Sequence, residues 1–349
     1  MPQQRAESES GTHRQRRPTQ REVARLAGVS QATVSIVLTG QDSGVSLETR
    51  RRVQEALKTV GYQPNLLARG LRGVPTALLG VIARGVAHPL IGGMIDAVTR
   101  AARGHGYNVI TADAGDSAGD ALILANLMKD RLCDAVVLLG DLPDDQVLWA
   151  GYQELGLTAV GLMQGSRELP IPNVSVDNAG GTQLALDHLR ALGHKRIAIL
   201  YPSELHAALD RLARYEDLCH HHRLIRPPEY VVGVANVATD GALAMEKLLQ
   251  LETPPTAVFA ANDELALGAL CWAAENGVSV PDDVCVIGFD DSPHAQVAVP
   301  RLTTVAQPME EMAAIATKIL LGKTRPSKMV HLVRPALIVR ASTGRPRDP

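Results

Sequence analysis

Two apolar runs end in side chains that could bind a polar ligand: "AVFAAND" closes on Asn262 and Asp263, and "VCVIGFDD" on Asp290 and Asp291. In open parallel sheets ligands collect at the carboxyl ends of strands, so amides and carboxylates placed there are candidate site groups. The competing role is to cap the next helix, which suits Asp263 and Asp291 better than Asn262 and Asp290. Chemistry that makes or breaks bonds has no such support. No Ser/His/Asp arrangement, Walker loop or GxGxxG follows a strand, and consecutive Asp290 and Asp291 point to opposite sides of an extended chain. "CHHHR" at 219–223 offers three histidines, but neighbours on a helix point 100° apart, so a solvated helix end is expected rather than a metal site. Cys133, Cys219, Cys271 and Cys285 lack CxxC spacing and are read as buried reduced thiols. The expectation is a binding protein with no catalytic residue, metal or cofactor.

A second kind of chemistry lies near the N-terminus. In "TQREVARLAGVSQATVSIVLTG", Val23, Leu26 and Ala27 share one helical face, Gly28 breaks the pattern, and Val34, Val37 and Leu38 share another. Ser30 can cap the second helix. Two short helices around a Gly-containing turn make a helix-turn-helix. A third helix follows in "SLETRRRVQEALKTVGY", with Ser46 as its cap, Val53, Ala56 and Leu57 inward and Arg50 to Arg52 outward. Residues 1–75 carry a net charge of +6 and the rest −8, so a polyanion is the natural partner of the head alone. The first 18 residues read as a disordered basic tail.

These elements need a larger body to control them. After residue 75, strand-like runs ("ALLGVIA", "NVITA", "DAVVLLG", "LTAVGLM", "NVSVDN", "RIAILY", "AVFAAND", "VCVIGFDD") alternate with helical stretches. That alternation predicts parallel sheets covered on both faces, and the number of units predicts two doubly wound subdomains. "HLVRPALIVRAST" reads as a C-terminal strand without the leucine heptads of a tetramerising coiled coil. No run approaches the length of a membrane span and the N-terminus has no apolar signal core, so a cytoplasmic, nucleoid-associated protein is expected.

Residues 19–72 resemble the DNA-binding head of the LacI/GalR transcriptional regulators: "EVARLAGVSQATVSIVLTG", "VSLETRRRV" and "GYQPNLLARGL" follow the family order at nearly matching spacing. The body, 76–343, resembles the family's effector domain, itself similar to periplasmic sugar-binding proteins, through "VSVDNAGGTQLALDHLRALGHKRIAIL", "AVFAANDELALGAL", "VPDDVCVIGFDDSP" and "PRLTTVAQP". The resemblance implies a small all-α helix-turn-helix head on an α/β body of two doubly wound parallel-sheet subdomains. Its divisions would be the tail (1–18), the head (19–63), a hinge helix and linker (64–75), and an effector-binding and dimerisation domain (76–344). Within that domain, one subdomain would hold about 76–174 and 305–331, the other about 175–304 and 332–344.

Function follows from the same resemblance: a homodimeric transcriptional regulator, acting as a repressor, that binds a pseudo-palindromic double-stranded operator and answers a small effector, a sugar or other polar metabolite. DNA contacts map onto Thr19, Ser30, Gln31, Ala32, Thr33, Ser35, Ile36, Arg50, Tyr62, Asn65, Ala68 and Leu71. Leu71 takes the place of the family's wedging leucine, which opens a base step from the minor groove; the alternative is a linker residue packing on its neighbours. The family motif usually has Arg where this chain has Ile36, so the bidentate guanine contact is missing there. Gln31 suits adenine, while Ala32 and Ile36 suit thymine methyls, unless Ile36 only fills space. Effector contacts map onto Arg211, Asn262 and Asp290, with Gln307 nearby; a surface role for Arg211 stays open. Met163 stands where many relatives carry a sugar-binding aspartate, and Asn236 where several carry an aromatic platform, which puts a simple hexose in doubt. A transport binding protein and an enzyme remain as other classes; the attached head argues against the first.

Overall fold

The computed structural model describes residues 18–39, 44–62, 75–115, 117–131, 133–142, 146–324 and 328–347. Residues 1–17 of the expected tail, and Asn65, Ala68 and Leu71 of the expected hinge, lie outside the described residues. The chain forms two compact units, Met1–Thr76 and Ala77–Pro349.

The head holds α1 (Gln20–Ala27), α2 (Gln31–Thr39) and α3 (Leu47–Val60). Short helices leave much of their backbone unsatisfied, and each start here is capped by a hydroxyl. Thr19 and Glu22 form a reciprocal capping box, Ser30 Oγ accepts from Thr33 N at 3.1 Å, and Ser46 Oγ accepts from Thr49 N at 3.2 Å. Gly28 ends α1 at a φ of 64°, left-handed backbone that an L side chain resists. Val23, Ala24, Ala27, Val34, Val53 and Ala56 form the core, with Val37, Leu38 and Leu57 half-buried against it. Leu26, expected inward, is exposed. The buried stripe of α1 is centred between Val23 and Ala24, roughly 110° from Leu26 at 100° per residue.

The body contains two six-stranded sheets among its described residues, as the expected fold class requires. One has the order β11-β5-β4-β3-β1-β2, from Leu78–Ala83 (β1), Asn108–Asp113 (β2), Ala135–Leu139 (β3), Ala159–Leu162 (β4), Asn173–Val176 (β5) and Val330–Val333 (β11), all parallel. The other has the order β12-β10-β9-β8-β6-β7, from Ile197–Pro202 (β6), Val231–Val234 (β7), Ala257–Ala260 (β8), Cys285–Asp290 (β9), Thr303–Ala306 (β10) and Ala336–Ile338 (β12). Only β12 runs antiparallel to its neighbour among these pairs. Helices cover the sheets: α4 (Pro89–Arg103), α5 (Ala118–Arg131), α6 (Gln146–Leu155) and α12 (Met309–Leu320) the first, and α7 (Asn178–Ala191), α8 (His206–His221), α9 (Ala238–Leu249), α10 (Asp263–Glu275) and α11 (Pro293–Val297) the second. The chain passes between sheets three times, each about two residues beyond the expected boundary. β5, β10 and β11 stay hydrogen-bonded to Val176, Ala306 and Val333 before the chain leaves.

The expected single C-terminal strand is two strands in two sheets. Arg334 and Pro335 separate β11 from β12, and Pro335 has no N–H to continue a ladder. The expected caps are also corrected. Asn262, extended at a φ of −154°, caps α10 by accepting from Leu265 N at 3.0 Å; Asp263 already belongs to the helix. Ser292 caps α11, and Asp291 instead accepts from Arg340 Nη2 at 2.5 Å. Three cysteines are buried as expected, but Cys271 is exposed on α10. His220 and His221 close α8 in solvent, and no metal-holding cluster occurs among the described residues. No described helix is long and apolar enough to cross a membrane.

Candidate functional site

In the head, Val34 anchors α2 in the core and so fixes which face is left outside. Gln31 and Ala32 are exposed at the start of that helix, Thr33, Ser35 and Ile36 are half-buried, and Gln31 Nε2 reaches Gln20 Oε1 at 3.5 Å. Ile36, 200° around the helix from Val34, is half-buried rather than fully exposed. Arg50 is half-buried, Arg52 is exposed, and Arg51 pairs with Glu55 at 3.4 Å. Thr19 and Ser30 are exposed or nearly so, and their hydroxyls serve the helix caps. Tyr62 packs against the head core. The face thus offers amide, hydroxyl and methyl groups edged by arginine, chemistry suited to base edges and phosphates.

In the body, a cavity of about 430 Å³ lies at the carboxyl ends of strands from both sheets. All six expected residues line it: Met163 after β4, Arg211 on α8, Asn236 after β7, Asn262 after β8, Asp290 at the end of β9 and Gln307 after β10. Arg211 is 5% exposed, which removes the surface alternative. Its guanidinium lies over the Phe289 ring, 3.6 Å from the centroid; Nε donates to Asn178 Oδ1 at 2.8 Å and Nη1 to the Ala261 carbonyl. Asp290 Oδ1 lies 3.8 Å from Arg211 Nη1 and accepts from Gln307 Nε2 at 2.7 Å. Burial pulls the Arg211 guanidinium below its usual range, opposed first by Asp290, and pushes the Asp290 carboxyl up, opposed first by Arg211. Each partner thus offsets part of the desolvation that the other suffers.

Asn262 Nδ2 donates to Asn236 Oδ1 at 2.6 Å, which fixes both amides on one wall. Asp290 and Met163 hold positive φ values of 128° and 65°, strain that clusters at binding sites. Below the wall, buried Asp263 accepts from Ser292 N at 2.7 Å and Thr304 Oγ1 at 2.6 Å; desolvation and the neighbouring Asp290 push its carboxyl up to about 7.

The sequence reading missed several residues of this site. Asp141 follows Gly140 at the end of β3, where the strand-end argument applied to Asp290 would have found it. Its carboxylate accepts from the backbone N–H of His206 and, at 3.3 Å, Ala207, and lies 3.0 Å from His206 Nδ1. Leu205 gives α8 no side-chain cap, so a carboxylate beside one sheet caps a helix that covers the other. Arg167 Nη2 reaches Asp141 at 3.4 Å, and Ser166 N donates to Asp210 of α8 at 2.7 Å. His88 was also missed; "AHPL" carries the signal of a helix start, a cap before a first-turn proline.

Comparisons with known proteins agree with both halves. The model of bacterial regulatory proteins of the lacI family matches residues 19–65, and that of the periplasmic binding protein-like domain matches 186–343. The chain is 33% identical over 332 residues to the HTH-type transcriptional repressor CytR of Escherichia coli K12, covering 93% of this chain and 96% of that protein. Its structure is similar to that of the Lac repressor dimer bound to operator and the anti-inducer ONPF, with a TM-score of 0.84 at 27% identity over 94% of this chain and 100% of that one. It is also similar to the transcriptional regulator CelR in complex with cellobiose, with a TM-score of 0.69 at 31% identity over 93% and 100%.

Proposed function

Because the chain belongs to the LacI family of bacterial regulatory proteins, we propose that its head reads an operator while the cavity in its body senses a small effector that sets operator affinity. The protein is a DNA-binding transcriptional regulator and not an enzyme. The observation that carries the sensing half is the cavity walled by both sheets and lined by the Arg211–Asp290 pair. The Lac repressor and CelR hold ONPF and cellobiose respectively, which supports a small polar effector here.

In this reading the protein acts as a homodimeric repressor in the cytoplasm, on the nucleoid. Its two heads lie one helical turn apart on a pseudo-palindrome, roughly 34 to 36 Å. Gln31 pairs with adenine, and Ala32 and Ile36 touch thymine methyls. Thr19, Ser30, Thr33, Ser35, Arg50 and Tyr62 hold phosphates, which position the head without reading sequence. Asn65 and Ala68 contribute from the hinge helix, and Leu71 wedges the central step. Gly70 makes that helix about 1 kcal/mol harder to form than Ala would, so it orders only when DNA and both heads are present.

The effector shifts the population between two arrangements of the subdomains, and does so only by binding them unequally. Helix α8 joins the two halves of this mechanism: it carries Arg211 into the cavity while Asp141 beside the other sheet caps its first turn. Capture of genomic DNA tests the reading. The full chain should retain a few fragments sharing a pseudo-palindrome and residues 76–349 none; equal retention by both would overturn it.

A further inference from the structure

Strand β11 is an edge of its sheet: β5 flanks it on one side, and no described strand flanks it on the other. The carbonyls of Met329 and Val333 accept from Asn173 N at 2.7 Å and Asp177 N at 2.8 Å, so the odd-numbered residues turn their backbone towards β5. Backbone groups alternate sides along a strand, and Val330 and Leu332 therefore turn N–H and C=O away from the sheet. Beside that edge runs an open groove of about 590 Å³, bounded by Ile315 of α12 and by the side chains of β11. Met329 and Leu332 are 43% and 49% exposed, so the edge offers apolar side chains as well as an unpaired ladder.

Lys328, just before the strand, and Arg334, just after it, line the same groove, both exposed and without an ion pair among the described residues. Between them His331 Nε2 is buried with no hydrogen-bond partner among the described residues. The acid that lines the groove, Glu311, lies in the first turn of α12, where a carboxylate complements the helix N-terminus. Two permanent cations and an imidazole against that carboxylate reverse, locally, the sign of a body whose net charge is −8. We propose that the β11 edge docks an extended acidic segment of a partner protein, which pairs with Val330 and Leu332 as an added strand, lays aliphatic side chains in the groove and sets carboxylates against Lys328 and Arg334. In this mode main-chain hydrogen bonds supply affinity and the flanking side chains supply specificity. A second copy of this chain is a poor occupant. Antiparallel pairing of two such edges about His331 sets Lys328 of one copy beside Arg334 of the other, and like charges so placed oppose the pairing. The groove shares no lining residue with the effector cavity, so the docking surface is separate from it.

Fluorescence anisotropy of labelled peptides on the full chain tests the edge. The probe is Glu-Asp-Val-Thr-Leu-Glu-Asp, blocked at both ends, set against the same peptide with lysine at every acidic position. The acidic probe should bind with a Kd of about 100 μM or tighter, and the lysine probe at least about tenfold more weakly. Added salt should weaken the acidic probe, because its end contacts are exposed ion pairs. The double variant Lys328→Glu, Arg334→Glu should reverse the order of the two probes. Leu332→Pro removes one outward N–H and leaves the ladder to β5 whole, so it should weaken the acidic probe about tenfold with an unchanged far-UV circular dichroism spectrum. Equal binding of the two probes, no binding of the acidic probe up to about 1 mM, or a Kd unaltered in the charge-reversed variant would overturn the proposal. So would a rise from dimer to tetramer in sedimentation velocity that Leu332→Pro abolishes, since the edge would then hold a second copy.

Discussion

Asp290 sits at a φ of 128°, is almost wholly buried, and meets Arg211 and Gln307 at once, so its backbone strain is held by the site it completes. Asp290→Ala should abolish the effect of ligand on operator binding while leaving ligand-free operator affinity within about threefold; a normal ligand response in gel-shift titration would contradict this. Asp263 gives a pH signature. Its folded carboxyl titrates near 7, above the ordinary acid range, so the native state holds a proton that the unfolded chain releases earlier. The stability linked to it is present below about pH 4 and lost as pH rises through 7. The melting temperature of wild type should therefore fall relative to Asp263→Asn across that window, and parallel curves would count against it. Sequence made Asn262, Asp290, Arg211 and Gln307 visible because strand ends and a family pattern mark them. Which of Asn262 and Asp263 caps the helix was not visible, since that turns on one residue's φ. His88 and Asp141 carried local signals, a cap before a first-turn proline and a strand end, but that these bring them to the cavity depends on the folded backbone, on Leu90 N and on the first turn of α8.

Helices α1 to α3 were legible because polar caps, glycine stops and apolar spacing agree locally, as Ser30, Ser46 and Gly28 illustrate. Ser46→Ala removes one cap and should lower head stability by about 1 kcal/mol in chemical denaturation. Buried strands such as β1, β3 and β9 declared themselves as apolar runs. β7, half-buried at the edge of its sheet, did not, and β11 and β12 were legible only as one strand, because the break at Pro335 that sends them to different sheets leaves the apolar run almost unbroken. Close helix packing was equally invisible. Gly268 of α10 lies against the backbone of α9 at Ala238, and Gly241 of α9 against Leu265, so neither position has room for a Cβ. Gly268→Ala should cost about 3 kcal/mol of body stability, measured by urea unfolding, and a neutral result would mean the two helices separate freely.

The charge contrast between a basic head and an acidic body places the attraction for DNA in the first 75 residues and leaves the body free to sense. Family resemblance made this division legible from sequence, whereas the crossings between sheets, and the carboxylate of Asp141 that reaches from one sheet's side to the helix of the other, needed three dimensions. Coupling between sensing and binding should pass through the hinge, so Leu71→Ala should lower operator affinity by about tenfold and reduce DNA bending, with ligand-induced thermal shifts unchanged. An unaltered bend angle in a circular-permutation gel would remove the wedge. The central claim, that occupancy of the body cavity sets the operator affinity of the head, is tested most directly by fluorescence anisotropy of the full chain on its captured operator. A ligand that stabilises the body should change the Kd by at least about tenfold in wild type and not in Asp290→Ala. The same Kd with and without that ligand in wild type would contradict the account.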